Sequence, residues 1–147
     1  MKVHAELAQV WPRDGRLRLV GKLHGHDPVA SAAAPWTLLL VLRDGPEHVL
    51  RYPAPLDGPA FDVSLPVADL VPEGLVLPAC WDLYVSQEPA SAARERLRVG
   101  RRLDDVGGKK KIMVFPGQSV AFGNGTATVK PYYTVKDNLS VEVTPAP

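Results

Sequence analysis

Three stretches of the chain hold side chains whose types and spacing can do chemistry. The first is "HGHD", His24 to Asp27. On a strand an HxH pair puts both imidazoles on one face, and Asp27 can join them as a third ligand to a divalent metal. The plainer reading is a strand end running into a polar loop. His4 and His48 complete a ligand set only if their strands lie alongside, and no spacing rule requires that.

The second is the basic stretch from Arg94 to Lys111. Arg94, Arg96, Arg98, Arg101, Arg102, Lys109, Lys110 and Lys111 stand there against Glu95, Asp104 and Asp105. Arginines at alternate strand positions line one face, and a guanidinium grips phosphate oxygens in pairs, so Arg96, Arg98, Arg101 and Lys110 are candidates for anion contact. The same charges also suit an edge strand guarded against sheet-to-sheet aggregation.

The third is "VKPYYTVKDNLSVEV", residues 129–143. If it is a strand, Tyr132 and Tyr133 point to opposite faces, so one packs inward and the other faces out. The outward ring, near Lys130 and Lys136, can stack on a sugar; a tyrosine closing the sandwich edge through its hydroxyl is the structural alternative. Elsewhere the chain is bare of reactive patterns. Cys80, the one cysteine, reads as a small buried thiol and excludes an internal disulfide or a cysteine-rich zinc site. There is no GxSxG elbow, P-loop, GxGxxG fingerprint or HExxH helix, and no cofactor is implied. Asp104 and Asp105 are adjacent on a linker, which gives acid–base work no defined separation.

The elements that must position these groups are strands. Fifteen prolines and twelve glycines fall mostly between short apolar runs. "VHAELAQVW" leads through the turn "PRDG" to "RLRLVGKLHG", where Leu17, Leu19 and Leu23 alternate with Arg16, Arg18 and Lys22, a hairpin with one wet side. Trp11 precedes the turn and is expected to be partly exposed. "WTLLLVL" is a near-continuous apolar strand of the central kind, starting at Trp36, with a partner around His48 to Tyr52 after the turn "RDGPE". Phe61, Val63 and Leu65 share one face of "FDVSLPVADL", whose tail forms a short helical turn. Trp81, Leu83 and Val85 share another face, and Leu97 and Val99 point inward among arginines.

Seven strands with turn signals about every 8–12 residues make an all-β, immunoglobulin-like two-sheet sandwich. The sandwich core is expected over residues 1–103. Residues 104–147 supply a linker, "DDVGGKKK", and a C-terminal hairpin or meander of "IMVFPG", "TATVKPYYTVK" and "LSVEV" packed on the same domain, either extending a sheet or standing apart from it. The 147 residues are 46% hydrophobic and 22% charged, enough apolar material for one core. Seventeen basic against sixteen acidic side chains leave +1, which does not mark a dedicated nucleic-acid binder. No run approaches the roughly 20 apolar residues of a membrane span, and the N-terminus lacks the apolar core of a signal peptide, so a soluble, cytoplasmic protein is expected.

"WDLYV", "LRVGRRLDDVGGKKKIMVFPGQ" and "VKPYYTVKDNLSVEV" together resemble a domain of actinobacterial proteins. It accompanies glycosyltransferase and CDP-glycerol glycerophosphotransferase modules of the teichoic-acid polymerase type. The resemblance covers residues 81–143 and implies a non-catalytic β-sandwich beside a transferase; the transferase part is absent from this sequence. The function expected is therefore a binding or assembly module for a glycan, a polyol-phosphate polymer or a transferase partner, using Arg96, Arg98, Arg101, Lys110, Tyr132 and Tyr133. The alternative is a small metal-assisted enzyme centred on His24, His26 and Asp27.

Overall fold

The computed structural model describes residues 4–24, 36–87, 97–100, 115–134 and 138–145. Ten strands build it: β1 (His4–Arg13), β2 (Arg16–His24), β3 (Trp36–Leu42), β4 (Val49–Pro53), β5 (Ala60–Pro66), β6 (Ala79–Gln87), β7 (Leu97–Gly100), β8 (Gln118–Phe122), β9 (Gly125–Tyr133) and β10 (Leu139–Pro145). A single 3-10 turn, Val67–Leu70, follows β5 where the sequence predicts a short helical turn. Among the described residues no helix is long and apolar enough to cross a membrane.

The strands form an all-β sandwich. In the first sheet β5, β2 and β1 run antiparallel. In the second, β4 pairs β3, β3 pairs β6, β6 pairs β10, β10 pairs β9 and β9 pairs β8, all antiparallel. β7 belongs to both. Its Leu97 and Arg98 pair with Val85 and Tyr84 of β6, while its Val99 and Gly100 run parallel to Ala5 and Glu6 of β1. Of the two arrangements open for the C-terminal strands, the structure has β10 inside the second sheet, with Ser140 opposite Asp82 and Val143 opposite Ala79. The expected strand "IMVFPG" is not seen: residues 112–114 lie outside the described part, and Phe115–Gly117 are not strand. The strand in this region is β8, where Val120 and Phe122 alternate with exposed neighbours and pack on the core.

One apolar cluster lies between the sheets. Leu17, Phe61, Trp81 and Val99 are all at most 2% exposed, as period-two burial requires. β3 is buried on both faces, with Leu38 and Leu40 in the central cluster and Leu39 and Val41 buried outside it, which explains its continuous apolar run. Asp14 and Gly15 turn β1 into β2 with positive φ at both positions (59° and 73°), the two-residue turn that "DG" favours. The open end of the sandwich is clasped by Gln118, whose Oε1 accepts from Gly15 N at 2.7 Å and whose Nε2 donates to Arg16 O at 2.9 Å.

Candidate functional site

Strand register collects the polar side chains of the second sheet on its outer face. β6 turns Asp82, Cys80 and Tyr84 outward because Trp81, Leu83 and Val85 take the core. β10 sets Ser140 beside Asp82, and β9 sets Tyr132 beside Ser140. β7 brings Arg98 opposite Tyr84, and Arg43 reaches back from just past the end of β3.

Asp82 is the hub. Arg43 Nη2 donates to its Oδ1 at 2.7 Å, Arg43 Nε to its Oδ2 at 3.3 Å, and Ser140 Oγ to Oδ1 at 2.7 Å. Arg98 Nη1 lies 3.7 Å from the same carboxylate, while its Nη2 donates to Ser140 Oγ and to Leu139 O. The Arg98 guanidinium also covers the Tyr84 ring, 5.2 Å from its centroid. Burial by itself would raise the Asp82 pKa. The hydrogen bonds from Arg43 and Ser140 and the charges of both arginines outweigh it and hold the carboxyl below its ordinary value. Arg43 is pushed up in turn, chiefly by its hydrogen bond to Asp82. Next to this network Cys80 Sγ lies 3.2 Å from the Tyr132 hydroxyl. Burial raises the pKa of both groups, so near neutral pH the sulfur is a thiol and a poor nucleophile.

Arg98 therefore does not sit on a guarded edge. β7 has neighbours on both sides, and the Arg98 side chain, 27% exposed, is engaged with Asp82, Ser140 and Leu139. Tyr132 faces out, half-buried on Cys80; Tyr133 faces in, 8% exposed, with its ring 5.8 Å from that of Phe115. Arg96, Arg101 and Lys110 lie outside the described residues, as do His26 and Asp27. The backbone register does set His4 directly opposite His24. His48 stands apart from them on the turn after β3, with Nε2 3.7 Å from Glu47. Among the described residues no group of three or more metal-ligating side chains forms.

Two features escaped the sequence reading. A cleft of about 450 Å³ opens beside the turn after β3, with Leu42, Leu50, Leu75 and Val76 among its walls together with Asp44, Glu47 and Glu73. Its carboxylates give it the wrong sign for a phosphate ligand. On the first sheet, Trp11, Arg13, Arg16 and Arg18 share the outer face around a shallower depression of about 320 Å³. The alternation of Arg16 and Arg18 was visible in the sequence; their pairing with Trp11 needed the register of β1.

No family model matches the chain, and no curated protein does. Its fold does recur among solved structures, as an all-β unit that forms part of a larger protein. S. aureus TarS contains it: the fragment 217–571 superposes with a TM-score of 0.71 at 15% identity, over 100% of this chain and 40% of that one. A second TarS structure gives 0.68 and 15%, over 99% of this chain and 25% of that one. The likeness is one of fold, and this chain spans less than half the length of either.

Proposed function

We propose that this chain is a non-catalytic binding or assembly module that serves a transferase acting on a glycan or polyol-phosphate polymer. The observation that carries the reading is coverage. The whole of this chain superposes on a fraction of TarS, a teichoic acid glycosyltransferase, in the manner of one module of a larger transferase. On the second sheet Arg43, Asp82, Arg98 and Ser140 are engaged with one another and the Cys80 thiol is held protonated, which argues against cysteine nucleophilic chemistry on that face. Electrophoresis of the chain through gels containing poly(glycerol phosphate), or a neutral glucan, tests the binding form. Retardation in either supports it, and unaltered mobility in both removes it.

One observation favours a second reading, a metal site of a small enzyme centred on His24, His26 and Asp27: the cross-strand pairing of His4 with His24. Protein purified without an affinity tag would then carry stoichiometric zinc or iron that His24→Ala with His26→Ala removes. Metal-free protein from metal-replete medium rules this reading out.

A further inference from the structure

We infer that Trp11, Arg13 and Arg16, on the outer face of the first sheet, form a binding site for a phosphodiester-linked polyol or glycan. This rests on the binding-module reading above and names a ligand face for it. The irregularity in β1 carries the inference. Ala5 and Leu7 point into the core, and unbroken alternation would send Gln9 and Trp11 after them. The register instead slips between Leu7 and Gln9, leaving Ala8 as an extra residue. Beyond the bulge Val10 packs against the core and Trp11 turns to solvent, 43% exposed. Bulges re-aim side chains in this way, often beside functional sites, and here the shift turns to solvent an indole that unbroken alternation would have sent inward.

The same register surrounds the indole with cations. Trp11 lies opposite Arg18, and Arg13 opposite Arg16. These guanidiniums differ in how far they are already committed. Arg18 is locked in a two-point pair with Asp62, at 2.9 and 2.6 Å. Arg13 lies over the Trp11 ring, 5.6 Å from its centroid, and is only loosely paired with Asp14 at 3.8 Å. Arg16 donates to Ser64 Oγ and Ser64 O, and no carboxylate pairs with it among the described residues. Two positive charges thus retain capacity beside an aromatic face, and Trp11 Nε1 donates to Gln9 Oε1 at 2.9 Å, which fixes the ring. An indole packs against the C–H groups of a polyol or sugar, and guanidiniums bind phosphate oxygens in pairs. A ligand alternating the two groups uses both halves of the site.

The test titrates the whole chain with poly(glycerol phosphate), reading protection of tryptophan fluorescence from acrylamide. Trp36 and Trp81 are at most 9% exposed, so Trp11 dominates the quenchable signal. Arg13→Glu, Arg16→Glu and Trp11→Ala should each weaken binding about tenfold, the loss of one charge-assisted or stacking contact; gel mobility reads the Trp11 variant. Lys130→Glu, the same charge change on the second sheet, should leave binding intact. If the wild type binds and the three variants bind equally well, this site is wrong while the module reading stands. If the wild type binds neither poly(glycerol phosphate) nor neutral dextran, this site and the binding form of the module reading both fail. Equal loss in Lys130→Glu, or equal affinity for polyglutamate or for neutral dextran, overturns the phosphodiester assignment.

Discussion

At the scale of single residues, Asp82 holds the second sheet's outer face together by countering two guanidiniums at once. Its folded pKa is depressed, so its contribution to stability is full above the unfolded value near 4 and is lost as pH falls through the lower folded value. Asp82→Asn leaves Arg43 and Arg98 facing each other across Ser140 without a counter-charge. Because both arginines keep some solvent, the expected loss at pH 7 is about 1–3 kcal/mol rather than the larger penalty of a fully buried pair. Denaturant unfolding of the two proteins should converge as pH is lowered from 5 to 2; a gap that stays constant over that range would show that the charge is not responsible. Arg98 stands out in the sequence as one of a run of arginines, but its partners do not. The four come from separate segments, and Arg43, Asp82 and Ser140 each look, alone, like ordinary polar residues. The opposite facing of Tyr132 and Tyr133, by contrast, followed from adjacency alone.

At the scale of elements, the first sheet depends on how closely β1, β2 and β5 approach at Gly21. A Cβ there would collide with the Glu6 carbonyl oxygen on one side and come within 2.8 Å of Phe61 Cζ on the other. The Glu6 contact is backbone and cannot rotate away, so Gly21→Ala must part β1 from β2 or displace the Phe61 ring from the core. A loss of about 1–3 kcal/mol is expected, the usual cost of overpacking. An unfolding midpoint equal to the wild type would mean the strands are not this close. Local pattern made the hairpin legible through "DG" and the alternating leucines of β2. It did not place the bulge in β1, because "AELAQVW" keeps a period of two in neither phase throughout, Glu6 breaking one and Gln9 the other, and only the partner strand decides where the phase changes. The place of Trp11 before a turn predicts its partial exposure; the bulge is the physical cause.

At the scale of the whole molecule, three links join the two sheets, and the expected consequence is that they unfold as one unit. The shared apolar cluster runs through both, β7 passes from β6 to β1 within four residues, and Gln118 clasps β8 to the turn between β1 and β2. The inward faces were legible because burial has the period of the pleat, but β7's double pairing was not: a four-residue strand carries no local sign of which neighbours it will find. Trp81 tests the unity. It is 1% exposed at the centre of the cluster, and its Nε1 donates to Leu70 O at 3.0 Å, tying β6 to the segment after β5. Trp81→Ala removes that bond and opens a cavity, for an expected cost of about 3–5 kcal/mol. If the sheets stand or fall together, far-UV circular dichroism and tryptophan fluorescence will report the same single transition in the wild type, and the variant will move both signals by the same amount. Separate transitions, with only one of them shifted by Trp81→Ala, would mean that the second sheet folds on its own and that β7 and Gln118 are contacts between two units rather than ties within one.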